Sequence, residues 1–268
     1  MTFVALSYWD LSLAAALILI NAALSWVFSL GLGRTLAVAA IRMIVQLSLI
    51  GLVLTWIFQQ TSPLWTLALA LVMIAVAGFE AISRQRRRFQ GFMAYGLGAG
   101  TLFFVGLIVT IYAVAGIISP EPWYQARYVL PILGMILGNA LTGVSLVLNT
   151  LTETANRERV AIEAQLALGA TRFQALRNVL QLALRTGLIP IVNAMAASGL
   201  VSLPGMMTGQ ILAGMNPVDA AKYQIMIMFV IAGATALSVT LAGVGGVLLL
   251  TDSRDRLRLD RLSANPTS

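Results

Sequence analysis

Three polar residues that could do chemistry lie within otherwise apolar stretches of the sequence. Arg42 falls early in one apolar run, and Gln46 follows it four residues later, on the same face of a helix. Glu80 lies near the end of the next run, at a similar depth to Arg42. Because a charge costs about 2.5 to 3.5 kcal/mol at the centre of a membrane helix, we predict an Arg42–Glu80 ion pair. A role in a substrate path competes with a structural bridge and with side chains that reach the lipid headgroups.

A helix-breaking run lies inside another apolar stretch. Pro204 removes a helix donor and Gly205 adds backbone freedom, so we predict a kink or break here. At membrane depth, freed backbone groups are tolerated only where protein or a water-filled cavity covers them. Broken helices often build transport sites, and a packing kink is the alternative.

The residues around the break repeat a pattern found earlier in the chain. Gly134-Met135 and Gly138-Asn139 recur, at a constant offset, as Gly205-Met206 and Gly209-Gln210. Glycines four residues apart let helices approach closely, so chance and close packing compete with an internal repeat. The candidate residues of a transport path or gate are Arg42, Gln46, Glu80, Asn139, Ser202, Pro204, Gly205, Met206, Met207 and Gln210.

Several classes of function are disfavoured by what the sequence lacks. The chain has no Cys and no His, which excludes disulfides, thiolate chemistry and a Ser–His dyad. It also lacks the HExxH, GxSxG and GxxxxGK[ST] patterns. Any ATP must therefore be hydrolysed by another chain, with ATP-Mg bound there, and we predict no cofactor on this one. Metal ligands would have to be carboxylates, amides, carbonyls or thioethers, and their identity stays unknown.

The elements that position these residues are predicted to be membrane helices. Of the 268 residues, 59% are hydrophobic and 10% are charged, whereas a soluble domain has about 25% charged residues. Several apolar blocks exceed the roughly 18 to 20 residues that span a bilayer. We therefore predict an all-α, polytopic integral membrane protein with residues 1–268 in a single transmembrane domain. Its seven spans are expected at about 10–31, 36–58, 64–82, 92–118, 129–150, 188–214 and 223–250.

Basic residues are confined almost completely to alternate loops. Positive loops stay in the cytoplasm, so we predict that the N-terminus is outside and the C-terminus inside. The net charge of +7 is then a topology signal and not a nucleic-acid site. The predicted inner loops carry Arg34, the arginines at 84–88, those at 157–185 and those at 254–261, against Arg127 and Lys222 on the other side.

One long loop, about 152–186, has the pattern of an amphipathic helix. It mixes acids with arginines, whereas a helix that anchors to lipid has a uniformly basic face. We predict that this cytoplasmic segment couples to an ATPase partner through Glu163, Gly169 and Ala170, and the alternative is a surface anchor at the lipid interface. The apolar residues available for packing are Leu166, Leu168, Phe173, Leu176, Val179 and Leu180.

Four segments of the sequence resemble the FetB-type ABC transporter permease family. They are RMIVQL at 42–47, PILGMILGN at 131–139, LGAT at 168–171 and GLVSLPGMMTG at 199–209. The resemblance covers most of the chain, and the run in the sixth span is highly specific. It implies a permease that pairs with a separate ATP-binding subunit, associated in bacteria with iron export and in plants with aluminium tolerance.

The predicted function is that of the membrane-spanning subunit of an ABC transporter. Two copies would bind two ATPase subunits in the bacterial inner membrane, in contact with lipid and without nucleic acid. The cargo would be a metal ion, iron-like by the resemblance, or a small solute, exported by ATP-driven alternating access. The alternatives are a self-contained secondary transporter or channel, which needs no ATPase, and a membrane scaffold that does not transport.

Overall fold

The computed structural model describes residues 7–60, 62–83, 87–89 and 92–264, most of them helical. Two three-residue strands, β1 (Arg87–Phe89) and β2 (Leu262–Ala264), pair antiparallel. In these ranges, seven helical segments are long and apolar enough to cross a membrane, which confirms the predicted all-α membrane architecture. The helices are α1 (Tyr8–Val27), α2 (Gly33–Ile57), α3 (Pro63–Ser83), α4 (Phe92–Ile111) with its π-helical extension Tyr112–Ile118, α5 (Ala126–Arg157), α6 (Arg159–Ala167), α7 (Arg172–Ala175), α8 (Arg177–Ala197), α9 (Gly205–Leu212) and α10 (Pro217–Leu250).

The first of two compact units ends at residue 61 and consists of α1 and α2. Ser7 caps α1 in a capping box with Asp10. The two helices are joined by a tight turn, in which the backbone N–H of Leu32 donates to the Ser25 hydroxyl at 2.9 Å. Ser25 is buried by this turn. The unit is therefore a helical hairpin, and Arg42 and Gln46 lie on exposed positions of its second helix.

The second unit begins at Ser62 and is built around α5, α8 and α10, which all pack on one another. The helices α3 and α4 pack on each other and on α5, and α4 also contacts α10. Val144, Val147 and Val239 are fully buried at the centre. The prediction that both units work as one permease domain stays a prediction.

Two glycines let the central helices of this unit touch. A Cβ atom at Gly143 of α5 would lie 2.6 Å from Cγ2 of Val239 in α10 and 3.1 Å from the carbonyl oxygen of Gly187 in α8. Conversely, a Cβ atom at Gly187 would lie 3.0 Å from the carbonyl oxygen of Gly143. Close packing thus explains Gly143, whereas added Cβ atoms at Gly205 and Gly209 would meet nothing within 4 Å.

The predicted boundaries of the sixth span and of the segment before it are wrong. The span is α8, Arg177–Ala197, and it ends before the Pro204–Gly205 pair instead of containing it. The expected single helix over 152–186 is divided among the end of α5, the short helices α6 and α7, and the start of α8. The physical reason is Gly169, whose φ of +91° ends the α6 segment before Thr171 caps a new helix.

Three arginine-bearing segments meet at one end of the second unit. β1 lies between α3 and α4 and pairs with β2, which follows α10. Arg172 of α7 forms an ion pair with Asp255, between α10 and β2. We call the segments 87–89, 158–176 and 251–264 the arginine-rich end; Arg84 and Arg86, also predicted here, lie outside the described residues. Which side of the membrane this end faces stays a prediction.

Candidate transport path and coupling surface

The chain leaves the helix between α8 and α9 in an ordered loop, residues 198–204, which we call the break loop. The backbone N–H groups of Val201 and Ser202 both donate to the Ala197 carbonyl oxygen at 3.1 Å. Gly199 has a φ of +96°, and its N–H donates to the Ser202 carbonyl oxygen at 2.9 Å. Pro204, in extended conformation, precedes the first residue of α9. The interruption therefore starts six residues before the Pro204–Gly205 pair that predicted it.

The break loop carries an apolar tip. The Leu200 side chain is 97% exposed and that of Val201 is 84% exposed. Ser202 is also exposed, and its hydroxyl donates to the Ala197 carbonyl oxygen at 3.5 Å. The Ser202 hydroxyl thus serves the backbone of the break, while the apolar tip is suited to lipid or to another membrane chain.

Two buried amides mark the region where α9 packs on α10. The Oε1 atoms of Gln210, in α9, and Gln224, in α10, are buried without a hydrogen-bond partner among the described residues. A buried acceptor left unpaired costs about 1 to 3 kcal/mol. Met206 and Met226, which are close in the chain to Gln210 and Gln224, pack against one buried apolar cluster. Unpaired amide oxygens therefore stand ready to accept a hydrogen bond from, or to ligate, a species that enters the helix bundle.

Four buried hydroxyls extend this polar character between α4, α5 and α10. Gln224, Thr235 and Ser238 are 11 and 14 residues apart, which places them on one face of α10. With a rise of about 1.5 Å per residue, this face is roughly 21 Å long between Gln224 and Ser238. The hydroxyl oxygens that are buried without a partner in the described part of the chain belong to Thr110, Ser145, Thr235 and Ser238.

Sequence reasoning predicted Gln210 but missed the rest of this polar line, because single Ser, Thr and Gln residues in apolar helices have no distinctive spacing. The signal that could have found it is the set of polar residues in the last span. We call Gln210, Gln224 and the four hydroxyl residues the polar line.

The other predicted path residues belong to several helices of the two units. Asn139 uses its Nδ2 to donate to the Met135 carbonyl oxygen of its own helix at 2.9 Å. Met207 is half-buried and Gly205 is exposed. Glu80 is half-buried near the end of α3, in a different unit from Arg42. The Arg42–Glu80 pair therefore stays a prediction, as does the contribution of Gln46.

A folded corner replaces the predicted amphipathic helix at the arginine-rich end. Residues 159–176, which we call the coupling corner, form α6, a turn and α7. The Gly169 N–H donates to the Leu166 carbonyl oxygen and the Ala170 N–H to that of Gln165, both at 3.0 Å. Thr171 and Gln174 then form a capping box at the start of α7. The turn therefore has a defined shape at Gly169 and Ala170.

Some apolar side chains of the coupling corner are buried, and others are exposed. Leu176, like Val179 after it, is buried as expected, whereas Leu168 at the turn is 88% exposed. Phe173 is also exposed, although less so, at 43%. Glu163 pairs with Arg159 at 2.8 Å on the surface. The corner is thus anchored on one side and presents an apolar tip on the other.

Comparison with known proteins gives the family. The model of the "Uncharacterised protein family (UPF0014)" matches residues 8–248, from α1 almost to the end of α10. The chain belongs to the UPF0014 family. This match includes the break loop, the polar line and the coupling corner, and it confirms the resemblance described above.

Among the described residues, no group of three or more acidic side chains could hold a metal ion in this UPF0014 protein.

Three relatives illustrate the range of the UPF0014 family. "UPF0014 membrane protein slr1647" of Synechocystis is 40% identical over 86% of this chain and 86% of its own. "Probable iron export permease protein FetB" of Escherichia coli is 35% identical over 87% of this chain and 88% of its own. "Protein ALUMINUM SENSITIVE 3" of Arabidopsis thaliana is 35% identical over 84% and 81%, respectively. No solved structure matches this UPF0014 chain.

A test of the polar line is to replace Gln224 by leucine. Removing a buried acceptor that has no partner is expected to raise the stability of the UPF0014 protein by about 1 kcal/mol. Transport is expected to fall, because the unpaired amide oxygen is no longer there to bind a cargo. Thermal unfolding in detergent and uptake into vesicles measure the two effects separately. A Gln224→Leu protein that is less stable than the parent would show that this amide has a structural partner instead.

Proposed function

We propose that this chain is the membrane-spanning subunit of an ABC transporter. Two copies would assemble with two ATP-binding subunits in a bacterial inner membrane, and ATP-Mg would stay in those subunits. The chain itself would be a permease and not an enzyme. The proposed activity is export of a metal ion or a small solute by alternating access, and the name of the 35% identical E. coli relative favours iron.

The coupling corner is the observation that carries this proposal. Leu168 exposes most of its surface on a folded turn outside the membrane-spanning helices. Burying one such side chain against a partner contributes about 1.5 to 3 kcal/mol. Because Glu163 and Arg159 give the same corner both signs of charge, it suits a protein partner better than an anionic lipid surface.

The polar line supports a path for a small, polar cargo. Amide and hydroxyl oxygens are ligands that hard cations accept. They are neutral, so they bind a cation less tightly than carboxylates and favour its release. The break loop between α8 and α9 interrupts the helix shortly before Gln210 in the chain, which suits a path that opens first to one side and then to the other.

The decisive experiment changes the tip of the coupling corner. Leu168→Asp is expected to weaken binding of the proposed ATP-binding subunit by about tenfold or more, because a charge replaces the apolar side chain that the subunit would bury. Leu168→Met is the matched control, since it keeps an apolar side chain of similar size. Co-purification, cargo-stimulated ATP hydrolysis and membrane abundance are measured for both variants. Full partner binding and full stimulated hydrolysis by Leu168→Asp would refute docking at this corner.

A further inference from the structure

The segment that follows α10 is folded onto the end of that helix. The backbone N–H of Arg258 donates to the Leu250 carbonyl oxygen at 2.8 Å. Nη1 of Arg261 donates to the carbonyl oxygens of Leu249 at 3.0 Å and Thr251 at 3.4 Å. Since the last carbonyl groups of a helix have no partner within it, these bonds complete the end of α10. We call residues 251–264 the tail cap.

Asp252 fixes the turn at the start of the tail cap. Its carboxylate accepts hydrogen bonds from the backbone N–H groups of Arg256 at 3.0 Å and Arg254 at 2.9 Å, and from Nε of Arg256 at 2.8 Å. The bond from the Arg256 backbone, above all, holds the pKa of Asp252 well below its usual range. The resulting stabilisation is complete above the ordinary aspartate pKa of about 3.9, and it is lost as the pH falls from there through the lowered value.

The tail cap connects α10 to the two other segments of the arginine-rich end. β2 pairs with β1 so that Leu262 lies opposite Phe89, whose side chain is buried. Closer to α10, the Asp255 carboxylate accepts a hydrogen bond from Nε of Arg172, the first residue of α7. The cap therefore spans the α3–α4 connection, the end of α10 and the coupling corner.

Both partners of the Arg172–Asp255 ion pair are held by their own surroundings. Asp255 has a φ of +54°, a conformation that Asp tolerates better than most residues, and its N–H donates to the Asp252 carbonyl oxygen at 3.1 Å. Arg172 follows directly after Thr171, the cap of α7, and its side chain is only 22% exposed. A pair between prepositioned side chains loses less entropy and is screened less than a pair of mobile surface residues.

We propose that Asp255 is a positioning residue that fixes the coupling corner relative to the end of α10. A partner that presses on the corner would then move α10 directly, and with it the face that carries Gln224, Thr235 and Ser238. This inference rests on the proposed function, because it takes the corner as the partner's contact. Without the ion pair, α7 keeps its apolar anchor at Leu176 but loses its link to the tail cap.

The position of the corner is tested first on the full-length permease alone, in lipid nanodiscs. Asp255→Asn removes the charge, and asparagine tolerates the positive φ of this position as aspartate does. Because a charge-assisted hydrogen bond is about twice as strong as a neutral one, backbone amides at 169–176 are expected to exchange hydrogen at least about threefold faster. Arg172→Gln should do the same, and the double variant should exchange no faster than either single variant.

Asp260→Asn is the matched control for this measurement. Asp260 lies in the same tail cap and loses the same charge, but its carboxylate accepts from Arg258 of the tail cap itself, at 2.8 and 2.9 Å. Exchange at 169–176 should therefore equal that of the parent protein. The proposal is overturned if Asp255→Asn exchanges like the parent, whether or not any ATPase binds.

The role in coupling is measured with the ATP-binding subunit added. Asp255→Asn is expected to bind it normally but to lower cargo-stimulated hydrolysis at least about threefold, in line with the weaker ion pair. Normal hydrolysis combined with faster exchange would overturn the coupling role of Asp255. If the parent protein does not bind the subunit at all, the proposed function fails, while the exchange result still decides whether Asp255 positions the corner.

Discussion

A leucine in place of Gly187 is expected to keep the protein from accumulating in the membrane. Even the Cβ atom of the new residue would lie 3.0 Å from the Gly143 carbonyl oxygen and 3.0 Å from Cγ1 of Val239. Backbone atoms cannot move aside as a flexible side chain can, so α8 would have to separate from both neighbours. Overpacking of this kind costs about 1 to 3 kcal/mol for small additions, and a leucine adds three further carbon atoms.

Alanine substitutions give the graded version of this experiment. Gly187→Ala should lower the midpoint of thermal unfolding, whereas Gly233→Ala in α10, where an added Cβ meets nothing within 4 Å, should leave it unchanged or raise it. Alanine is favoured over glycine by about 1 kcal/mol in a helix, so the two variants should differ in sign. Equal unfolding midpoints, or normal abundance of Gly187→Leu, would mean that these helices do not cross in contact.

Removing the break loop is expected to abolish most transport. Gly199→Ala costs about 1 to 2 kcal/mol in the left-handed conformation of that residue, which favours helix over the break. Pro204→Ala then restores a backbone donor, so the double variant should let α8 continue towards α9. We expect a transport rate at least about tenfold lower, equivalent to about 1.4 kcal/mol in the barrier, with normal insertion.

Gly205→Ala is the control for the break. Gly205 begins α9 with an ordinary φ and has open space around it, so a methyl group there should be tolerated. Vesicle transport and membrane abundance are measured for all variants. If the Gly199→Ala, Pro204→Ala protein transports at the parent rate, the break is a packing feature and has no part in transport.

The sequence predicted elements well where one local rule decides the outcome. Long apolar blocks located α5 and α10, since a bilayer demands such a length. Pro204 and Gly205 correctly announced an interruption. The start of the interruption could not be predicted, because nothing in the sequence around Gly199 shows that this glycine has a positive φ and not a helical one.

The polar line shows where local rules fail. Thr101 and Thr152 are also hydroxyl residues in apolar helices, and both bond to carbonyl oxygens of their own helix, at 2.7 and 2.9 Å. Thr235 and Ser238 make no such bond among the described residues. All four positions carry a hydroxyl residue in an apolar helix, so the sequence does not distinguish them. The packing around each residue decides which hydroxyl stays unpaired. The Arg172–Asp255 pair is likewise a tertiary contact, which no local pattern specifies.

The pairing of β1 with β2 has a consequence for the order in which the protein is made. β1 leaves the ribosome before α4, whereas its partner strand leaves after α10. Chains fold progressively from the N-terminal side during synthesis, at about 5 to 20 residues per second, so β1 waits for several helices to be inserted before it can pair. Pairing of β1 with β2 at the arginine-rich end is therefore a late step of biogenesis, which follows insertion of the helices between them.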